Sequence, residues 1–353
     1  MGKYDLTYEE YVRSRLATPQ TIETLESLLG ETIPKDLLEN AILNHSVEEF
    51  LRPYFCRELQ QSLTDLSSCE SEVVDGVEYI KFEGESFAML VHGLGAYSHE
   101  AQVDYRLREG GSKTVATSLV TDEFLGHYSN KGQDLVYLGY TQVPDNSFYL
   151  SGPQDISSLH DDGTHNKRLR SGIHFLPSRQ MAQKTSAMYN EYAMLRQNEN
   201  GEEILPTCVI SFSAEVDQNT KFFAQKHGLP VVVIDSVKYK EKQRNKLLAF
   251  EKKENPTPEE LEEYLYGLVA YCCERLCYNL SHVDVDYGAC IQKLQEKCNF
   301  IQSKLNIDPN SEYWQVCQQF VDFQRTTTND AMGHLFVDGV FKGTPESGKT
   351  TTK

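Results

Sequence analysis

A histidine, a pair of hydroxyls and a glutamate recur through the middle of this chain, each set at the edge of a short apolar run. His92 and Gly93 close FAMLVHGLG, Thr117 and Ser118 lie in KTVATSLV, and Glu191 interrupts SAMYNEYAMLR. Such a set has a definable chemistry. A buried carboxylate stabilises positive charge that develops as a bond breaks, and imidazole and hydroxyl groups hydrogen-bond the hydroxyls of a sugar. Gly93 and Gly95 allow backbone and ligand to approach closely. Each residue also has a plain structural role open to it. A strand-end histidine donates to a neighbouring carbonyl, Ser and Thr are tolerated in strands, and Glu191 can be a surface carboxylate beside Arg196. Met188, Tyr192 and Leu195 set Glu191 at the border of an apolar face in helix or strand alike.

Other groups carry weaker chemistry. Cys208 with His92 or His227 could form a thiol hydrolase pair, but Cys208 lies inside the apolar LPTCVISF, where a thiol is usually inert. Cys272, Cys273, Cys277, Cys290, Cys298 and Cys317 lack paired CxxC spacing, and His282 has no histidine partner, so no metal site is expected. Cys273 and Cys277 read instead as small apolar residues on one helix face. GTPESGKT, from Gly343 to Thr350, matches a phosphate-binding loop letter for letter, with Lys349 in the phosphate-binding position. That loop needs a following helix to align its amides, and only Thr351, Thr352 and Lys353 follow; a flexible tail without nucleotide is expected.

Charge narrows the partners. Lys and Arg total 34 against 52 Asp and Glu, a formal charge of −18, which repels phosphate backbones and anionic membrane surfaces. The basic run from Val237 to Lys253 reads as a solvated helix face. No window reaches the roughly 18–20 apolar residues of a membrane span. The N-terminal MGKYDLTYEEYVRSRL lacks the apolar core of a secretory signal, and nine cysteines leave an odd thiol. Reduced thiols in a cytoplasmic setting, or in a host cytosol after delivery, are the expectation.

The elements that must position these residues follow from periodicity. From Thr7 to about Ser68 apolar residues recur at three and four, with breaks at Thr18-Pro19 and Ile33-Pro34, which predicts amphipathic helices. Between about Glu72 and Ser236, VEYIKFEG, SFAMLVHGLG, KTVATSLV, DLVYLGY, NSFYL, LPTCVISFS and LPVVVID read as strands bounded by turn residues. Arg179 to Leu195 reads as helix. LPTCVISF and LPVVVID, separated by the amphipathic VDQNTKFFAQKHG, predict a parallel strand-helix-strand unit. Helical spacing returns from about Thr257 to Thr326. The expected fold class is α+β: an N-terminal helical segment (1–70), a central mixed β-sheet domain (71–240), a C-terminal helical segment (241–330) and a tail (331–353).

The blocks FAMLVHGLG, TSLVTDE, LVYLGY with QDISS, MYNEYAML, and LPTCVISF with GLPVVVID resemble, in that order, bacterial ADP-ribosyltransferase-type domains of toxin-like and effector proteins. The similarity runs over roughly residues 77–235. That family sets His or Arg on a first strand, a hydroxyl motif on a second and Glu on a later one. The resemblance implies NAD as cofactor, held by His92, Gly93, Thr117, Ser118 and Tyr140, with Glu191 as the catalytic carboxylate and with His92, Ser118 and Glu191 converging on one cleft. Tyr189-Asn190-Glu191 replaces the family's Q/E-x-E turn, and Thr117-Ser118-Leu119 replaces a full S-T-S. The change at Tyr189 argues against arginine as acceptor and leaves another protein or a nucleic-acid acceptor. A non-catalytic effector or regulatory scaffold, binding a protein partner through its helical ends, fits the acidic charge and helical flanks equally well.

Overall fold

A computed structural model describes residues 8–13, 17–96, 114–123, 125, 135–143, 148–152, 191–195, 197–198 and 200–257, with 260–261, 263–264, 296, 299, 303, 336–337 and 340–341 beyond them. Proline and threonine punctuate the N-terminal helices as their chemistry dictates. After α1 (Tyr8–Tyr11), helix α2 (Pro19–Leu29) starts with proline in its first turn, and the Thr18 hydroxyl accepts from the Thr21 amide at 3.1 Å. It ends at Gly30, whose φ of 67° is the left-handed cap conformation. Helix α3 (Lys35–Leu43) follows Pro34, and α4 (Val47–Ser62) buries Leu51, Phe55, Cys56 and Leu59 at helical spacing.

Nine strands form one mixed sheet: β1 (Ser71–Val74), β2 (Val77–Phe82), β3 (Ala88–Ala96), β4 (Thr114–Thr121), β5 (Leu135–Tyr140), β6 (Phe148–Gly152), β7 (Glu191–Leu195), β8 (Cys208–Ser211) and β9 (Val231–Ile234). Their spatial order is β1-β2-β9-β8-β5-β3-β4-β7-β6. Only β2 with β9 and β9 with β8 run parallel; every other pair is antiparallel. Helix α5 (Gln218–His227) joins β8 to β9, so the predicted parallel strand-helix-strand unit is present. Asp217 caps α5, accepting from the Thr220 amide at 2.9 Å and its hydroxyl at 2.6 Å. Helix α6 (Ser236–Glu251) follows β9, and β10 (Phe336–Val337) with β11 (Val340–Phe341) makes a separate pair.

Alternation along the strands divides the core in two. Leu90, Leu119, Leu138, Tyr192 and Val209 pack with α2, α3, α4 and α5, whereas Met89, Val91, Val120, Ile210 and Val232 pack with Tyr239 of α6. The arrangement is α+β, as expected from the sequence. Two polar side chains, one near the end of α4 and one just past it, add hydrogen bonds to this packing. The Gln60 amide donates to the Thr141 carbonyl (3.1 Å) and accepts from the Val143 amide (2.6 Å), and the Thr64 hydroxyl accepts from the Ala88 amide (2.8 Å).

Two expectations change. Residues 191–195 are strand, not the end of a helix, because Tyr192 and Met194 alternate into the core against β4. The boundary set at residue 240 falls inside α6, one continuous helix from Ser236 to Glu251. Its basic residues do more than face solvent: Lys238 and Lys242 donate to the Glu83 and Glu85 carbonyls at 3.1 and 2.8 Å. Residues 179–190, the cysteines from Cys272 to Cys317, most of the helical stretch 257–326, and GTPESGKT lie outside the described residues.

Candidate active site

The strands carrying the histidine, the hydroxyl pair and the glutamate are consecutive neighbours at the middle and far side of the sheet: β3 pairs β4, and β4 pairs β7. Register then places each residue. Val91 stands opposite Ser118, and Ser118 opposite Glu191, so these three share one rung. Thr117 stands opposite Tyr192 on the next rung, which is also the level of His92. Directly opposed residues lie about 4.5–5.5 Å apart, which makes Ser118 the nearest hydroxyl-bearing neighbour of the Glu191 position across β4.

Successive rungs face opposite sides of a sheet. His92 and Thr117 therefore occupy the side packed by α4, and Ser118, whose register partner on β7 is Glu191, the side packed by α6. The three residues expected in one cleft are neighbours in the sheet but are divided by the pleat. Gly93, opposite Tyr137, falls on the Ser118 side; Tyr140, opposite Leu90, falls on the His92 side.

Burial sorts them further. The Thr117 hydroxyl is buried and donates to the Tyr192 carbonyl at 2.7 Å, a bond that ties β4 to β7 one residue past Glu191. Tyr140 belongs to the core beneath the N-terminal helices, and Ser118 is 3% exposed. His92 is only partly buried. The ladder between β3 and β5 slips just beyond it. After Gly93 opposite Tyr137, the next paired residues are Ala96 and Leu135, so β3 spends one extra residue there. A bulge of this kind bends its strand and re-aims the adjacent side chains.

Two buried groups escaped the sequence reading. Glu58 of α4 is 5% exposed and bears electrostatically on Tyr192, whose hydroxyl is raised well above its ordinary pKa, first by burial and then by that carboxylate. The signal existed: Glu58 lies three and seven residues beyond Phe55 and Leu51, on the apolar stripe of its helix. Asp122, just after β4, accepts from the Phe87 amide at 3.2 Å; burial raises its carboxyl, partly offset by that hydrogen bond.

Cys208 has no hydrolase geometry. It is 1% exposed, and burial pushes its thiol up to about 12, so the thiolate a nucleophile requires is suppressed. Among the described residues no group of three or more His, Cys, Asp or Glu could hold a metal ion, and no helix is long and apolar enough to cross a membrane. Comparison with protein families, curated proteins and solved structures finds no match for this chain.

Proposed function

We propose that this chain transfers ADP-ribose from NAD to a protein or nucleic-acid acceptor, in the manner of bacterial toxin-like effectors. The observation that supports the reading is the adjacency of β4 and β7, which sets Ser118 opposite Glu191. With NAD bound, nicotinamide would leave as the neutral base with the glycosidic electron pair, positive charge would develop on the ribose, and a nucleophile of the acceptor would form the new bond at that carbon. In this reading the Glu191 carboxylate stabilises that charge and Ser118, opposite it on β4, orients the carboxylate, whereas His92, on the other face of the sheet from Ser118, takes no part in holding that ribose. Gly93 gives the ligand close access to the backbone. Thr117 braces β4 against β7, and Tyr140 supports the pocket from the core without touching ligand.

A non-catalytic interaction protein is the second reading, and one observation favours it: the hydroxyl pair expected to line the pocket is interior, with Thr117 1% and Ser118 3% exposed. Calorimetric titration with NAD, paired with turnover of Glu191→Gln, separates the two. The transferase reading expects NAD binding in both proteins and a loss of about 10²-fold or more in turnover, roughly 3 kcal/mol of transition-state stabilisation. Equal turnover in parent and variant, or no NAD binding at about millimolar concentration, which corresponds to roughly −4 kcal/mol, leaves the interaction protein as the better account.

A further inference from the structure

The sheet ends on one side in a strand that no other described strand covers. β1 pairs only with β2, and all four of its residues, Ser71, Glu72, Val73 and Val74, are exposed; Val73 reaches 71%. The hairpin geometry shows which backbone groups are unspent. Val74 and Val77 flank the turn at Asp75 and Gly76, whose φ values of 54° and 78° are both left-handed, and the Lys81 amide donates to the Glu70 carbonyl at 3.3 Å. An antiparallel ladder alternates, so Glu70, Glu72 and Val74 turn their amides and carbonyls toward β2, and Ser71 and Val73 turn theirs outward. An outward-facing ladder on a strand without Pro or Lys is a template for another strand.

Charge then selects the occupant. Between Glu70 and Ile80 the chain carries Glu70, Glu72, Asp75 and Glu78 with no Lys or Arg. Lys81, the nearest cation, is ion-paired with Glu83 at 2.7 Å. A second copy of this chain pairing edge to edge would bring these carboxylates against themselves, on a molecule whose formal charge is already −18. We infer that β1 is a docking edge for an extended, basic segment of a partner protein, which adds to the sheet as a further strand beside β1. Main-chain bonds to Ser71 and Val73 give the pairing, an apolar side chain of the partner contacts Val73 on one face, and its lysine or arginine meets Glu72 on the other.

The probe is a short synthetic peptide alternating lysine and valine, titrated into the full chain, with a peptide alternating glutamate and valine as control. The lysine peptide should bind, the glutamate peptide should not, and the Val73 amide should exchange more slowly with solvent in the complex. Affinity should fall as salt rises from about 0.01 to 0.15 M and the screening length shrinks from roughly 30 to 8 Å. Val73→Pro deletes an outward amide and leaves the bonds to β2 in place, so it should bind about tenfold or more weakly. Val73→Thr, which keeps the amide, should bind like the parent. Protection of the β2 amides verifies that the hairpin remains folded in both variants. The inference is overturned if Val73→Pro binds as the parent does, if both peptides bind alike, or if the chain sediments as a dimer that Val73→Pro returns to monomer.

Discussion

The buried edge of β5 shows how far single residues fix this sheet. A methyl group added at Gly139 would clash with the Cys208 sulfur and meet the Ile210 side chain at 2.9 Å, so β5 and β8 could hold a larger residue there only by shifting apart. Gly139→Ala should destabilise the protein by about 1–3 kcal/mol in urea titration, the usual cost of overpacking. Cys208, its neighbour, should resist iodoacetamide at mildly alkaline pH until the chain unfolds, as mass spectrometry of labelled protein would show. Asp122 gives a pH-dependent test. Burial raises its folded carboxyl above the unfolded value, so its contribution is fully favourable below the unfolded pKa and is lost as pH rises through the folded one. Asp122→Asn keeps an acceptor for the Phe87 amide. It should raise the unfolding temperature at neutral pH and leave it unchanged near pH 3, below the roughly 3.9 of a free aspartate. Residue identity made Glu191, His92 and Ser118 legible as chemistry, because a carboxylate or imidazole at an apolar border stands out in any register. Their division between two faces was not legible. It depends on pairing across β3, β4 and β7, which lie far apart in the chain, and a shift of one residue exchanges the faces.

Elements were legible where a pattern ran long enough to exclude its rival. The N-terminal helices repeat their apolar spacing over several turns and begin at Pro19 or just after Pro34, so both period and punctuation agree. β7 lacks that length. Met188, Tyr192 and Leu195 satisfy a helical period, while Tyr192 and Met194 satisfy alternation, and only the pairing of Ala116 with Ala193 and Thr117 with Tyr192 decides between them. Helix α4 was legible as a helix with an apolar stripe, Leu51, Phe55, Cys56 and Leu59, that packs on the sheet, but the polar attachments of Gln60 and of Thr64 just past its end were not. Gln60→Ala removes both a donor and an acceptor for the backbone around Thr141 and Val143. It should cost about 1–3 kcal/mol, measured by chemical unfolding with an unchanged denaturant slope.

For the molecule as a whole, the helices of the first seventy residues and the sheet that follows share one core: Val12, Leu25, Ile42 and Leu59 belong to the same apolar cluster as Leu90, Leu138 and Val231. The N-terminal segment is thus a layer of the sheet, and a chain beginning at Ser71 should expose this face, bind a hydrophobic dye and lose its cooperative unfolding transition. The parallel part of the sheet carries a different consequence. Tyr79 of β2 pairs with Val231 of β9, so a strand made early meets its partner only after most of the described sheet has been synthesised. Closing so long a loop adds little to the final free energy, because its cost grows only with the logarithm of loop length, but it delays the step. On the ribosome, β2 must wait with one side open while β3, β4 and β5 are already available to pair. The order of emergence therefore leaves the β1–β2 hairpin as the last piece to join, and a chaperone acting on the nascent chain would find its substrate there.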